Sequence, residues 1–316
     1  FKVGTYKSAV EPFFLKKFSD ANREQLTSFL GSVWGNLITA IEKSRNISSD
    51  ELDRYLNEGL AMGQASNAVD YKLADGLRYR YEVENCVKEM AGQDVKGKLK
   101  TAGVDKIVSI KVKEKDSGNK IAVLYAEGEI RDDDSSSPFS ADEQVISEEM
   151  ANKLRKLKDD DDVKAVVFRV NSPGGSAYIS EQIWKEVVEL KAKKPIVVSM
   201  GNYAASGGYY ISCAANKIVA ERTTLTGSIG VFGVVRNFTG TFDKVGVTTD
   251  IVKTNTFADL GDISRPMRED EKALIQRGVE QTYDLFLTRC ADGRGMTKAE
   301  IDSIGQGRVW TGEQAL

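Results

Sequence analysis

The sequence predicts an α/β protein, with mostly parallel sheets covered by helices, and three observations carry that expectation. Short apolar runs alternate with amphipathic stretches between residues 121 and 234, as in buried strands joined by helical crossovers. Small-residue turns follow these runs at residues 171–176, 202–208 and 226–230, where such sheets place their ligands. Residues 3–52 also lie on residues 252–301 without a gap, which marks a tandem repeat.

The elements follow in order. Residues 1–6 read as a strand end and Lys7 to Pro12 as a loop closed by proline. A helix is expected from Ser19, with Leu26, Phe29, Leu30, Val33, Trp34, Leu37 and Ile41 on its apolar face. Ser48 and Glu51 are spaced as the capping box of a second helix. Residues 96–118 are Lys-, Asp- and Gly-rich and read as a linker. Ile121 to Ala126 opens a new unit as a buried strand, and Asp132 to Ser137 reads as an exposed acidic loop. A helix is expected over 141–158 and a strand over 165–170. A helix follows over 177–192, with Ile179, Ile183, Val187 and Leu190 facing inward. Further strands are expected at 195–201, 217–221 and 229–234. The repeat divides the chain into 1–95, the back part of a first copy; the linker 96–118; and 119–316, a second copy cut short at its end. Both chain ends read as interior to elements, so the sequence is expected to be a piece of a longer protein.

Composition narrows the chemistry. The 316 residues, 41% hydrophobic and 29% charged, suit a globular protein with a sizeable core. A net charge of −3 with no basic stripe argues against nucleic acid as a partner. Cys86, Cys213 and Cys290 are odd in number and far apart, unlike a disulfide framework or a metal site, so neither metal nor cofactor is expected. No run reaches the length of a membrane span. Histidine is absent altogether. That rules out a Ser-His-Asp triad, and a serine nucleophile would need another base, most simply lysine.

Ser206 sits where a buried strand turns into a helix, beside unpaired N–H groups that can steady a developing oxyanion. Taken alone, Ala204 to Gly208 reads more readily as a packing turn with a serine cap. Gly175, in the turn Asn171 to Ser176, offers a second backbone donor beside that of Gly207. This turn lacks the spacing of a phosphate-binding P-loop, and locally it also reads as a plain strand-to-helix corner. Ser228, in Thr226 to Gly230, would orient a base or bond its own backbone.

Together, Asn171-Ser172-Pro173-Gly174-Gly175, Ala204-Ala205-Ser206-Gly207-Gly208-Tyr209, Thr226-Gly227-Ser228-Ile229-Gly230-Val231 and Thr5-Tyr6-Lys7-Ser8-Ala9-Val10-Glu11-Pro12 resemble signal peptide peptidase A in its long, duplicated bacterial form. The resemblance covers nearly the whole chain. It implies a Ser–Lys peptidase built of tandem Clp protease/crotonase-like repeats, with Ser206 as nucleophile and Lys7 as general base. Ser228 would be the orienting partner, and Gly175 and Gly207 the oxyanion donors. It further implies remnant signal peptides as substrates, a homo-oligomer of four subunits, and the periplasmic face of the bacterial inner membrane, reached by an anchor outside this sequence. Short relatives carry the lysine where Thr256 stands here. Thr256 is the repeat partner of Lys7, so the second copy would depend on the lysine of the first.

A free lysine is neutral in roughly one molecule in 2,500 at pH 7, and lowering its pKa to about 7 takes roughly 4.6 kcal/mol. Lys7 is therefore expected in an apolar slot without a carboxylate partner; Glu11, four residues on, would oppose this if it turned inward. Two other classes stay open: a crotonase-type acyl-CoA enzyme using the same backbone donors with carboxylates, and a non-catalytic scaffold.

Overall fold

The computed structural model describes residues 1–59, 63–108, 118–132 and 144–316. Two compact units emerge, residues 1–33 with 118–316 and residues 34–117. The segment carrying Lys7 thus clusters with the unit that carries Ser206.

The larger unit opens with β1 (Lys2–Val3), a short 3-10 turn (Glu11–Phe13) and the first half of helix α1 (Asp20–Arg45). The smaller unit holds the rest of α1 with α2 (Ser49–Asn57), α3 (Ala65–Asp70), α4 (Arg80–Met90) and α5 (Val104–Val108). Its core gathers Ile38, Ile47, Leu52 and Tyr55, and Tyr55 stacks on Tyr71 with ring centroids 3.9 Å apart. Ser48 caps α2, and Glu51 Oε2 accepts the Ser48 amide at 3.0 Å, closing the predicted capping box. The apolar face expected of α1 is only partly used. Leu30, Trp34 and Leu37 are exposed, while Asn22 and Gln25 are buried with their side chains donating to Glu11 and to the Tyr6 carbonyl in the segment before the helix.

The second part of the larger unit runs β2 (Lys120–Glu127), β3 (Glu129–Ile130), β4 (Val145–Ile146), α6 (Glu149–Asp159), β5 (Val163–Ser172), α7 (Ala177–Lys193), β6 (Ile196–Ala205) and α8 (Gly207–Tyr210). It continues through β7 (Lys217–Val219), β8 (Leu225–Gly227), β9 (Val231–Phe232), α9 (Thr239–Val245), α10 (Glu269–Arg294), α11 (Lys298–Ile304), β10 (Val309–Thr311) and α12 (Gly312–Ala315). The main sheet has the order β10-β8-β6-β5-β2, with β7 also beside β6. All its pairings are parallel except β10 on β8. This is a mixed, mostly parallel sheet with helices, as predicted. Val166, Phe168 and Val170 of β5 and Val198 and Met200 of β6 pack beneath Ile179, Ile183, Val187 and Leu190 of α7, the inward face expected from their spacing. Removing one of these leucine or isoleucine side chains would cost about 2–5 kcal/mol.

Other expectations change as well, among them the burial of the strand at 121–126, whose Ile121, Val123 and Tyr125 are exposed on β2. The helix expected over 141–158 begins at Glu149, because Val145 and Ile146 pair with Glu129 and Ile130; residues 141–143 lie outside the described residues, as do 133–137 of the acidic loop. Tertiary pairing here overrides helical periodicity. The run 229–234 supplies only the short β9, which pairs with β1 instead of joining the main sheet. The helix after Ser206 is a single turn.

Helices α1 and α10 are each 26 residues long, start at Asp20 and Glu269, and end at Arg45 and Arg294, in the register of the sequence repeat. Each is followed by a capped helix, with Ser48 and Thr297 as caps.

Candidate active site

The site collects where strand ends meet the Lys7 loop, in a cleft of about 910 Å³. Ser206 stands at the end of β6 with φ 53° and ψ −121°, a conformation that costs a non-glycine residue about 1–3 kcal/mol. Two bonds hold it. Its amide donates to Gly227 O at 3.0 Å, and its carbonyl accepts the Tyr210 amide at 2.9 Å. The strained corner lifts the hydroxyl off the sheet and into the cleft.

Lys7, only 4% exposed, reaches the same point from the other end of the chain. Its Nζ lies 3.1 Å from Ser206 Oγ, 2.9 Å from Ser228 Oγ and 3.0 Å from Ser228 O. The Phe232 ring is 5.9 Å from the amine. Among the described residues no carboxylate forms an ion pair with it, and burial lowers its pKa to about 8. At pH 7 roughly one Lys7 in ten is then neutral, against the one in 2,500 of a free lysine. A neutral amine has two N–H donors and one lone pair. With both donors satisfied by the carbonyl and hydroxyl of Ser228, the lone pair is left for the Ser206 proton. Ser228 itself has φ 50°, and its amide donates to Arg308 O at 2.7 Å.

Glu11 is buried but turned away. Its carboxylate accepts from Ser19 Oγ at 2.7 Å, the Ser19 amide at 3.3 Å and Asn22 Nδ2 at 3.2 Å. Burial pushes its pKa up, but the bonds from Ser19 and Asn22 outweigh this and hold it below the usual carboxylate value. The charge closest to Lys7 in sequence is thereby spent at the start of α1.

Gly174 presses directly on the Ser206 corner, and Gly175 on the backbone of Ile130. A Cβ at Gly174 would lie 2.6 Å from Gly207 N and 2.8 Å from Ser206 Cβ, and one at Gly175 would lie 2.1 Å from Ile130 O. Positive φ values of 103° and 149° also favour glycine there. The Gly174 carbonyl and the Ser176 amide bond to Ile130, which leaves the Gly175 amide between them. Among the described residues, neither the Gly175 nor the Gly207 amide donates to a protein acceptor. Two free N–H groups beside a hydroxyl can bind an oxyanion.

All five residues singled out from sequence therefore line one cleft or its rim. Thr256, the repeat partner of Lys7, does not: it is exposed, and its carbonyl accepts from Arg268 at 2.7 Å. Sequence reasoning missed Gln25, whose Nε2 donates to Tyr6 O at 2.9 Å, and the turn 305–309 behind Lys7. The pair of glycines in Ile304-Gly305-Gln306-Gly307 was the available signal for the latter.

Burial of Lys7 is a cost that pH can remove. Its folded pKa of about 8 lies below the ordinary 10.5, so between these values the unfolded chain binds a proton that the folded chain does not. The penalty is complete below about pH 8 and gone above 10.5, with a span of about 3 kcal/mol. Relative to wild type, Lys7→Met should be about 3 kcal/mol more stable at pH 7 than at pH 10.5, from urea unfolding at both. A pH-independent difference would contradict a buried, desolvated amine.

Comparison with known proteins agrees with this architecture. The profile of Peptidase family S49 matches residues 1–94 and 188–316, and that of Clp protease matches residues 139–229. "Protease 4" of Salmonella typhi is 39% identical over 322 residues, covering 100% of this chain and 51% of the relative. "Protease 4" of Haemophilus influenzae is 37% identical, covering 100% and 52%. "Serine protease SPPA, chloroplastic" of Arabidopsis thaliana is 32% identical, covering 99% and 46%. The chain thus spans about half the length of these relatives. Its fold is Clp protease-like, and the chain belongs to Peptidase family S49.

Proposed function

We propose that the protein is a serine endopeptidase in which neutral Lys7 takes the proton of Ser206 Oγ as that oxygen attacks a peptide carbonyl. Ser228 orients the amine, and the Gly175 and Gly207 amides receive the negative oxygen. Lys7 then returns the proton to the leaving amine, and water, activated in the same way, releases the acyl group. The observation that carries this reading is the 3.1 Å contact between a buried, uncompensated amine and a strained serine hydroxyl. The membership of family S49 and the relatives named as proteases support it.

The substrate is an extended apolar peptide, remnant signal peptides above all. Gly174, Gly175 and Gly207 line the cleft without side chains of their own, and Ile130, Val231 and Phe286 give it apolar walls. With that substrate goes a homotetramer at the periplasmic face of the bacterial inner membrane. Among the described residues no helix is long and apolar enough to cross a membrane. The test compares an unstructured apolar peptide, a folded charged protein and an acyl-CoA thioester. Preferential cleavage of the peptide, with a serine-directed phosphonate on Ser206 blocking it, is the expected result. Turnover of the thioester without labelling of Ser206 would favour the acyl-CoA reading, and no turnover or labelling would favour a scaffold.

A further inference from the structure

We propose that Gly307, at the centre of the turn 305–309, is a positioning residue that sets where the Lys7 amine stands. The proposal rests on the reading of Lys7 as general base. The turn grips both things that fix the amine, its own backbone and its Ser228 acceptors. On one side the Tyr6 amide donates to Gln306 O at 2.8 Å. On the other, Gly307 N donates to Ile229 O at 2.6 Å and Ser228 N donates to Arg308 O at 2.7 Å.

Gly307 is the point of closest approach. Its φ is 76°, and a Cβ there would lie 2.6 Å from both the backbone N and the Cβ of Lys7. Gly230 completes the slot. A Cβ on it would lie 2.7 Å from Gly307 Cα and 3.2 Å from Lys7 Cδ. The turn is itself braced. The Arg308 guanidinium lies 4.7 Å from the Tyr6 ring centroid and 4.6 Å from that of Trp310, and pairs with Glu24 at 2.9 Å. Gln25 joins Tyr6 O to the Val309 amide, at 2.9 and 3.3 Å. The charged groups around the slot are engaged elsewhere or lie across the cleft. Glu11 bonds Ser19 and Asn22, Glu24 pairs with Arg308, and Glu129, Arg131 and Asp132 line the cleft.

A side chain at 307 has to push the lysine backbone aside, because the atoms it meets cannot rotate away. A shift of about 1 Å in a catalytic group can cost about 10²-fold in rate. The same shift opens the slot to water and relieves the desolvation that keeps the amine neutral.

The experiment measures kcat and KM against pH, on a fluorogenic apolar peptide, for Gly307→Ala, Gly230→Ala and Gly246→Ala. Gly246 is the strain-matched control, with φ 71° and no heavy atom within 4 Å of an added Cβ. Gly307→Ala should lose about 10²-fold in kcat with KM within about twofold. Its rising pH limb should move toward that of free lysine. Gly230→Ala, which carries no positive-φ penalty, should shift both readouts the same way and decides the matter if Gly307→Ala does not fold. Gly246→Ala should keep the wild-type rate and profile. Wild-type rates, or a lost rate with an unmoved pH limb, in folded Gly307→Ala and Gly230→Ala would overturn the positioning role while Lys7→Ala is inactive. Activity in Lys7→Ala would instead overturn the general-base reading beneath it.

Discussion

Ser206→Ala is expected to lower peptide hydrolysis by at least about 10³-fold, and Lys7→Ala by about 10²–10⁴-fold, with both proteins folded. The two losses have different origins. Without the Ser206 hydroxyl no acyl-enzyme forms, although the cleft and the free Gly175 and Gly207 amides remain to bind the peptide. Without Lys7 the hydroxyl persists but has no acceptor for its proton; among the described residues, the other group at hydrogen-bond distance from the amine is Ser228. Because the two act as a unit, the double variant should be scarcely worse than Ser206→Ala alone. Steady-state hydrolysis of one apolar peptide, with circular dichroism as the check on folding, settles each case. Lys7→Ala retaining more than about a tenth of the wild-type rate would break the assignment.

The second large effect is on pH. With Lys7 as the proposed general base, kcat/KM should rise about tenfold per pH unit below its pKa of about 8 and flatten above it. The direction follows from the cause. Burial disfavours the ammonium form, and no carboxylate restores it among the described residues, since the nearest in sequence, Glu11, is held by Ser19 and Asn22. A His-based peptidase would flatten near neutrality, whereas here the rise continues from pH 6 through 8 and flattens only above it. A rate that falls across that range would require a protonated group for attack and is incompatible with this chemistry.

How much of this was legible before the structure depends on the range of the interaction concerned. The corners at Ser206, Gly175 and Ser228 were readable because small-residue turns between apolar runs are local signals. The inward face of α7 was readable because four residues spaced by three and four settle it. The run 229–234 was read too long as a strand, since its pairing with β1 joins residues more than two hundred apart in sequence. Val145 and Ile146 were lost inside a helical pattern because their pairing with Glu129 and Ile130 is a tertiary contact that periodicity does not report. The exposed Leu30, Trp34 and Leu37 of α1 show the converse: periodicity reports an apolar face but not whether anything in this chain covers it. The turn around Gly307 left only a pair of glycines as a trace, because its role lies in backbone contacts with a segment roughly three hundred residues away in sequence.

The proposed chemistry turns on one step, in which a neutral Lys7 makes Ser206 nucleophilic. The rate at which a small serine-directed phosphonate modifies Ser206, followed by mass spectrometry from pH 6 to 10, measures that step without peptide binding or product release. The expected rate rises about tenfold per unit to a midpoint near pH 8 and then levels, with Lys7→Met slower by at least about 10²-fold at pH 8. Labelling of Ser206 at the wild-type rate in Lys7→Met, or a wild-type rate independent of pH, would contradict it.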